Sequence, residues 1–334
     1  MKALRLHGPG RVELHDETDP TAADGDVLVN VTAVGLCGSD RHWFTEGGIG
    51  DATLASPLVL GHEFAGVIGS GPRSGERVAL DPAIPCGRCA LCRSGLAHLC
   101  LEMRFAGHGA TDGALRTSLA WPGALAHRLP DDLPDDQAPL LEPLGVALHA
   151  IDLGHVGPGT TAGVFGCGPV GLLLVQALRA AGASVVLATD PLPHRRTAAL
   201  AQGAEEALPG GDVEQLVTER TDGLGLDVGF EAAGHDDAVD DAIAATCPGG
   251  RVVLVGIPDG DRTSFSASAA RRKGLTLLLS RRMQGSDLPR AIDLARAGRV
   301  DLAALVTHRY PLEEAGEAFA ALADRRGLKV VVEP

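Results

Sequence analysis

The sequence lacks long apolar runs, an excess of positive charge, low-complexity tracts and internal repeats. No stretch approaches the roughly 20 apolar residues that cross a bilayer, which argues against a transmembrane helix. The net charge of -14 at pH 7 argues against nucleic acid or an anionic membrane as a partner, because both select clustered Lys and Arg. Residues 1–5 open the sequence without a secretory apolar region, so we expect a cytoplasmic protein.

The length of 334 residues exceeds what one typical hydrophobic core accommodates, so we expect two domains. Hydrophobic residues make up 45% and charged residues 22% of the chain, which is typical of a globular protein. Before about residue 150, short β-branched runs alternate with Gly and Pro, which indicates short strands joined by turns. After Thr160, apolar strands alternate with helices, as in a parallel α/β sheet.

The α/β part of the chain can be followed strand by strand. We predict strands at residues 162–165, 184–189, 227–231, 251–255 and 275–279. The helices after the first two strands end near Gly182 and Gly203, where glycine suits a left-handed cap. Beyond residue 280 we expect the tail to return to the first domain, with helices and a final strand at residues 289–297, 312–323 and 328–332.

Four of the seven cysteines fall within one short segment, at Cys86, Cys89, Cys92 and Cys100. In a reducing compartment such clustering indicates metal ligation rather than disulfides. The spacing lets four thiolates close a tetrahedron around zinc, which leaves no position for a substrate. We therefore predict a structural zinc that stabilises a lobe at residues 86–100. The alternative is four unrelated buried cysteines.

A glycine-rich turn separates the first predicted α/β strand from its helix, with Gly166, Gly168, Pro169, Val170 and Gly171. Its glycines allow a tight turn, and the unpaired N–H groups at a helix N-terminus favour a pyrophosphate. The position between a strand and a helix makes the motif far more specific than its letters alone. We predict that this turn binds a dinucleotide.

Asp190 follows the second predicted α/β strand. A carboxylate at this place accepts hydrogen bonds from ribose hydroxyls and repels a 2'-phosphate, so we predict NAD rather than NADP. Arg195 and Arg196 follow closely, and either guanidinium could instead pair with a phosphate. The alternative to binding either NAD or NADP is that the glycine turn and a capping Asp have a purely structural role, without a nucleotide.

A third set of residues combines Cys37 with His62 and Glu63. Thiolate, imidazole and carboxylate are all zinc ligands, and three protein ligands leave a position open for a substrate. These residues alone are modest evidence, because a single buried histidine or cysteine is more often part of a core.

Together these motifs resemble the zinc-containing medium-chain dehydrogenase (zinc alcohol dehydrogenase) family, and within it the polyol branch typified by sorbitol dehydrogenase. The resemblance covers essentially the whole chain. It is carried by residues 35–40 with His42, residues 61–63, the cysteine lobe, residues 141–144 and the nucleotide turn. The branch is indicated by three finer matches, at residues 48–50, residues 112–115 and the pair Glu142–Pro143 before His149.

The resemblance implies a fold class of α/β, with a mainly β, GroES-like catalytic domain and a Rossmann coenzyme domain with a doubly wound parallel sheet. The catalytic domain would comprise residues 1–150 and 281–334, and the NAD-binding domain residues 151–280. It also implies two zinc ions per chain, NAD as the cofactor, and a homodimer or homotetramer. The strand at residues 275–279 is a candidate edge for pairing between subunits.

The resemblance further implies roles for individual residues. Cys37, His62 and Glu63 would surround the catalytic zinc, with Glu142 reaching it directly or through a water. Ser39 would pass the proton of the substrate towards solvent, through the ribose of the cofactor and His42. The alternative for Ser39 is a turn or cap residue, and the alternative for His42 is an exposed histidine.

Two further positions would contact substrate in the polyol branch. Trp43 stands where the branch has an aromatic residue, and Arg282 where it has an arginine that binds substrate hydroxyls. The stretch from Arg282 to Pro289 is one residue longer than we expect for the branch, so Arg281 could take that place. A solvated arginine pair is a further alternative.

We therefore predict an enzyme that transfers hydride from a secondary alcohol of a polyol, cyclitol or related small molecule to NAD, giving a ketone. A threonine or amino-alcohol dehydrogenase on the same scaffold is the main alternative. Two further alternatives are a zinc-free enone reductase and a non-enzymatic zinc-stabilised binding protein. Both are disfavoured, because neither would require Cys37, His62 and Glu63.

Overall fold

A computed structural model describes residues 1–211 and 213–334 and divides them into two units. The first unit contains Met1–Pro143, Gln284–Arg296 and Leu302–Pro334. The second unit contains Leu144–Met283 and Ala297–Asp301. The chain therefore leaves the first unit and returns to it.

The strands run in chain order as follows: β1 Lys2–Gly8, β2 Arg11–Asp16, β3 Asp26–Gly35, β4 Gly48–Ile49, β5 Ala52–Thr53, β6 Leu58–Val59, β7 Glu63–Ile68, β8 Arg77–Leu80, β9 Ala83–Ile84, β10 Arg104–Phe105, β11 Ser118–Pro122, β12 Ala126–Arg128, β13 Thr161–Phe165, β14 Val185–Thr189, β15 Glu206–Leu208, β16 Leu226–Glu231, β17 Thr246–Leu254, β18 Thr276–Leu279, β19 Val306–Pro311 and β20 Lys329–Glu333. Most strands of the first unit are short, as its glycine-rich and proline-rich sequence predicts.

The α-helices are α1 Gly38–Glu46, α2 Ala90–Arg93, α3 Leu141–Gly154, α4 Pro169–Ala181, α5 Pro193–Ala201, α6 Val213–Arg220, α7 Asp236–Ala245, α8 Ala267–Lys273, α9 Asp287–Arg296 and α10 Ala315–Ala323. Within the two described ranges, no helix is both long and apolar enough to cross a bilayer.

The first unit is built on a seven-stranded sheet. Its strand order is β12-β8-β7-β3-β20-β19, with β11 paired to β3. Strand β20 runs antiparallel to β3, with Val331 opposite Gly35. The C-terminal strand thus completes the sheet that begins with residues near the start of the chain.

The core of the first unit lies on the apolar faces of this sheet. Phe64 on β7 and Trp121 on β11 are buried and meet edge to face, with ring centroids 5.6 Å apart. Helix α10 covers the same core, and Phe319 stacks on Phe44 at 4.9 Å. Burial of such aromatic rings is a large favourable term for the unit.

The second unit contains a six-stranded parallel sheet in the order β15-β14-β13-β16-β17-β18. Helices alternate with its strands, and the strand order reverses at β13, which is where nucleotides bind in doubly wound sheets. The predicted mainly β domain and Rossmann sheet are therefore confirmed. All five predicted α/β strands are present, and the three-residue strand β15 is additional. Strand β18 lies at the edge of the sheet.

Helix α4 shows how the sequence sets the start and end of an element. Pro169 occupies its first turn, where the missing N–H costs nothing, and Gly182 caps its end with φ 91°. Gly171 is required at the start, because a Cβ there would overlap the carbonyl oxygen of Gly166. The helix N-terminus is thus held against the turn that follows β13.

The division into units differs in detail from the expected boundaries after residues 150 and 280. The first division falls at Pro143, inside α3. The short 3-10 helix Ala138–Leu140 packs against β3 and β7, so the beginning of α3 belongs with the first unit. The second division falls after Met283, and Ala297–Asp301 also belongs to the second unit.

Candidate metal centre and nucleotide turn

Two neighbouring strands bring Cys37, His62 and Glu63 together. Strand β7 begins at Glu63, directly opposite Gly35 at the end of β3, and Cys37 follows as the N-cap of α1. One ligand atom from each residue lies within 4.8 Å of the others. His62 and Glu63 are buried, whereas Cys37 is half-buried. The predicted trio is therefore one site in the structure.

The residues of this site fit a zinc ion. Glu63 is fully buried at 0% exposure, and neither carboxylate oxygen receives a well-aligned hydrogen bond from any residue that the structure describes. The ammonium of Lys329 does contact Oε2, so one side of the carboxylate is compensated by charge and Oε1 is left for a further cation. Thiolate, imidazole and carboxylate are ligands that zinc accepts.

Asp40 supports this site, a role that sequence reasoning missed. Its Oδ2 accepts a hydrogen bond of 2.9 Å from the backbone N–H of Cys37, and its Oδ1 lies 3.6 Å from Nδ1 of His62. A carboxylate beside the second ring nitrogen orients an imidazole for metal binding. The signal for this role in the sequence was that Asp40 belongs to the segment 35–40, which carries part of the family resemblance.

The charges of these groups are coupled. Burial alone would raise the pKa of Asp40, but the neighbouring His62 and the N–H of Cys37 lower it. Burial alone would lower the pKa of His62, but Asp40 and Cys37 raise it well above its usual value. A metal ion would compete with a proton for this imidazole, because only neutral imidazole is a ligand.

Lys329, at the start of β20, is the second residue that sequence reasoning missed. It is 1% exposed and forms a buried ion pair with Glu63. Burial alone would lower the pKa of this ammonium, but Glu63 and Cys37 raise it. A side chain at Gly35 would overlap the Glu63 carboxylate, so glycine makes room for the pair. A lone lysine opening an apolar strand was the signal.

Glu142 lies in the first turn of α3 and is 6% exposed. Burial raises the pKa of Glu142 to about 8, and the nearby Glu63 adds to the rise while His62 and Lys329 oppose it. The carboxyl is therefore within electrostatic reach of the trio. The alternative of a solvated surface glutamate is excluded by its burial.

Helix α1 carries the remaining predicted catalytic residues. Ser39 Oγ lies 3.4 Å from Nε2 of His62, so its hydroxyl is beside a predicted ligand atom. His42 is 5% exposed, and its Nδ1 lies 2.8 Å from Oε1 of Glu46. The alternative of an exposed histidine is therefore wrong for His42.

The two predicted substrate contacts lie in different units. Trp43 is buried and meets His108 edge-on, with ring centroids 5.6 Å apart. Phe105, which sequence reasoning did not select, lies 5.4 Å from the ring of His62. Arg282 belongs to the second unit, is half-buried and has φ 60°, whereas Arg281 is exposed.

The four clustered cysteines form a second, separate set. Their sulfur atoms lie within 4.8 Å of one another, with Cys89 Sγ 3.5 Å from Cys92 Sγ and 4.0 Å from Cys100 Sγ. Zn–S bonds of about 2.3 Å place tetrahedral sulfurs about 3.8 Å apart, whereas a disulfide needs about 2.05 Å. Backbone N–H groups of Cys92 and Leu101 lower the pKa of Cys89 to about 6, which favours the thiolate that zinc binds.

The predicted nucleotide turn follows β13, with Gly166 at φ 107° and Gly168 as the N-cap of α4. Asp190 directly follows the neighbouring strand β14 and accepts hydrogen bonds from the N–H groups of Cys167 and Leu192, at 2.9 and 2.8 Å. These bonds fix the carboxylate beside the turn, and its oxygens can still accept further hydrogen bonds.

The two arginines near Asp190 differ in what they contact. Arg195 Nη1 lies 3.7 Å from Oδ2 of Asp190. Arg196 instead donates to the backbone oxygens of Asp190 and Pro191, both at 2.8 Å. Of this pair, Arg195 is therefore the guanidinium placed at the carboxylate.

Comparisons with known proteins agree with this arrangement. The family model described as "Zinc-binding dehydrogenase" matches residues 169–297. The family model described as "Alcohol dehydrogenase GroES-like domain" matches residues 23–131. One match falls largely in each unit of the structure.

Similar proteins match along almost the whole chain. Probable D-xylulose reductase A of Arthroderma otae is 37% identical over 340 residues, covering 98% of this chain and 95% of that protein. Sorbitol dehydrogenase of Bacillus subtilis is 33% identical over 344 residues, covering 100% and 97%. The solved structure of L-idonate 5-dehydrogenase from Escherichia coli has a TM-score of 0.92 at 27% identity, covering 100% and 98%.

The Lys329–Glu63 pair gives a stability prediction. In Lys329→Met the buried carboxylate loses its cationic partner, and breaking such a pair costs about 3–5 kcal/mol. We expect calorimetry to show a marked fall in the unfolding temperature of the first unit. Lys2→Met is the matched control, because it breaks the exposed pair with Glu313 and should change little.

A second variant separates loss of charge balance from loss of packing. Lys329→Met combined with Glu63→Gln removes both charges, so it should regain part of the lost stability. A single Lys329→Met variant as stable as the Lys2→Met control would contradict the buried ion pair.

Proposed function

Because the chain belongs to the zinc-containing medium-chain alcohol dehydrogenase family, we propose that it oxidises a secondary alcohol of a polyol or cyclitol to a ketone. The enzyme is an NAD-dependent zinc alcohol dehydrogenase of the polyol type. The observation that carries the proposal is the pair of cysteine-containing sets: a closed one of four thiols, and an open one of Cys37, His62 and Glu63. An open set is what a reacting substrate needs.

The first step is to hold the alcohol. We propose that Cys37, His62 and Glu63 bind a zinc ion, and that Glu142 reaches it directly or through a water. When bound, zinc supplies Lewis-acid polarisation of the alcohol oxygen. Asp40 keeps the ring of His62 oriented, and the buried surroundings of Glu63 and Glu142 keep these interactions strong by excluding water.

The second step is to remove the hydroxyl proton while hydride leaves for NAD. Ser39 Oγ is placed beside a ligand atom of His62. We propose that Ser39 accepts this proton while its own hydroxyl proton passes, through the ribose of the cofactor and His42, towards solvent. Nδ1 of His42 contacts Glu46. Because the Glu46 side chain is 46% exposed, this route ends in solvent. The nicotinamide supplies the hydride acceptor.

The preference for NAD over NADP is proposed to rest on Asp190. Its carboxylate is fixed by two backbone N–H groups, so it is ready to accept ribose hydroxyls and would oppose a 2'-phosphate. Arg195 lies next to this carboxylate. Asp190 balances the charge of Arg195. As long as the carboxylate is present, this guanidinium therefore does not favour a 2'-phosphate, which supports NAD.

The substrate class is proposed from the relatives' names. One similar protein is named D-xylulose reductase, one sorbitol dehydrogenase and one L-idonate 5-dehydrogenase, and all three names refer to polyhydroxylated compounds. Trp43 and Arg282 are the proposed substrate contacts. A screen of NAD reduction against xylitol, sorbitol, inositols, aminocyclitols and threonine tests this class, and a response to threonine alone would favour the amino-alcohol alternative.

We also propose a cytoplasmic homodimer or homotetramer. Five of the seven cysteines belong to the two proposed zinc sites, and clustered thiolate ligands of this kind are typical of a reducing compartment. Among the residues that the structure describes, strand β18 pairs only with β17 and lies at the edge of the parallel sheet, which suits pairing with the same strand of a second copy.

The two zinc sites should respond differently to the loss of one ligand. Cys37→Ser should abolish NAD reduction while the fold is retained, because the open site serves chemistry. Cys89→Ser should lower thermal stability and solubility, because the closed site holds a lobe with little regular structure. Zinc analysis that finds one ion per fully active chain would defeat the two-site proposal.

Asp190→Ser should relax the choice of cofactor. The neighbouring Arg195 would be freed to pair with a 2'-phosphate, and we expect discrimination against NADP to fall by about 1–3 kcal/mol, as for a charged hydrogen bond. The ratio of kcat/KM for NAD and NADP measures it. A wild-type enzyme that uses NADP more efficiently would overturn the role of Asp190.

Glu142→Gln tests whether this buried carboxyl acts at the metal. The variant keeps size and hydrogen bonding but cannot ionise beside a bound cation, so kcat should fall roughly 10- to 100-fold, with NAD affinity nearly unchanged. Glu317→Gln, an exposed position on α10, is the control. Equal, wild-type-like rates in both variants would exclude Glu142 from the active site.

A further inference from the structure

The first hairpin carries a second set of imidazole and carboxylate groups, outside the zinc and nucleotide sites. His7 lies on β1, and Glu13 and His15 lie on β2. Strand register pairs Arg5 with Glu13 and Ala3 with His15. The register shifts between Leu6 and Gly8, at His7, and the contacts of the His7 ring with His15 and Glu13 place all three side chains on one face of the hairpin.

The donor atoms of these three side chains converge. Nε2 of His7 lies 2.9 Å from Nε2 of His15 and 3.8 Å from Oε2 of Glu13. All three ligand atoms fall within 4.8 Å of one another. The two rings are tilted by 39°, with centroids 5.1 Å apart, so they turn their Nε2 atoms towards one point instead of stacking face to face.

We propose that His7, Glu13 and His15 form an additional metal site that binds a divalent transition ion, with Zn²⁺ as the reference ion. Two imidazoles and one carboxylate are a donor set for this class of metal. Zn–N bonds of about 2.0–2.1 Å place two tetrahedral nitrogens about 3.3 Å apart. The observed 2.9 Å separation therefore needs only a small opening of the histidine pair.

The charged groups around the three side chains permit a metal ion to bind. The nearby guanidinium of Arg5 is already engaged by Glu17 and Asp112, so its charge is balanced. Arg11 lies 3.6 Å from Glu13 and is 65% exposed; such a surface ion pair contributes little and is easily displaced. Both histidines are half-buried, which gives an ion access from solvent.

The location gives this site a structural consequence. The turn between β1 and β2 is bonded to α1, because the N–H of Gly10 donates to the carbonyl of Phe44 at 2.6 Å. Helix α1 also carries Ser39, His42 and Trp43. A metal that ties β1 to β2 would therefore stabilise the support of this helix, and binding to the folded state alone raises stability.

The test is a zinc titration of the full-length enzyme as purified, monitored by isothermal titration calorimetry. Thermal unfolding is then measured with and without the added zinc. We expect the wild type to bind one more Zn²⁺ per chain than the His7→Ala/His15→Ala double variant. The added zinc should raise the unfolding temperature of the wild type only. Glu13→Gln should keep the stoichiometry and increase the Kd.

Two further variants keep the result interpretable. His15→Gln retains size and a polar group, so it should fold even if the double variant does not, and it should lose the additional equivalent. His235→Ala is the matched control, because His235 is an exposed imidazole 3.7 Å from Asp237; it should bind as many ions as the wild type. Equal stoichiometry in wild type and His15→Gln, or loss of the equivalent in His235→Ala, would overturn the proposal.

Discussion

The buried carboxylate of Glu63 is the constraint on which the first unit depends. A fully buried carboxylate is costly unless cations compensate it. Lys329 compensates one oxygen, and the proposed zinc would compensate the other. Because Lys329 begins the last strand, the C-terminal tail has to return beside β3. Gly35 in turn has to lack a side chain.

The two proposed metal sites differ in how the fold builds them. The four-cysteine lobe has ligands within one short segment, so its closure requires no other part of the fold. The open site takes Cys37 from the start of α1 and His62 and Glu63 from the start of β7. It therefore exists only when the sheet has formed. Asp40 and Lys329 then tune ligands that the sheet has brought together.

How far the sequence predicts this protein depends on the distance over which each signal acts. The Rossmann strands were predictable because each is an apolar run bounded by local turns, and β15 was missed because it has only three residues. Ligand spacing predicted the cysteine lobe, whereas the trio of Cys37, His62 and Glu63 was predicted from ligand types together with the family resemblance. Lys329 was missed because its partner Glu63 lies at the other end of the chain and only β20 pairing brings them together. The division within α3 likewise follows from packing of the preceding 3-10 helix Ala138–Leu140 on β3 and β7, which periodicity does not reveal.

The central claim is that Cys37, His62 and Glu63 hold a zinc ion distinct from that of the cysteine lobe, and that NAD-linked oxidation uses it. Crystals of the active enzyme measured on both sides of the zinc absorption edge test this directly. We predict anomalous density at the four cysteines and separate anomalous density between Cys37, His62 and Glu63. Density at the four cysteines alone, in crystals whose dissolved protein reduces NAD at the full rate, would contradict the claim.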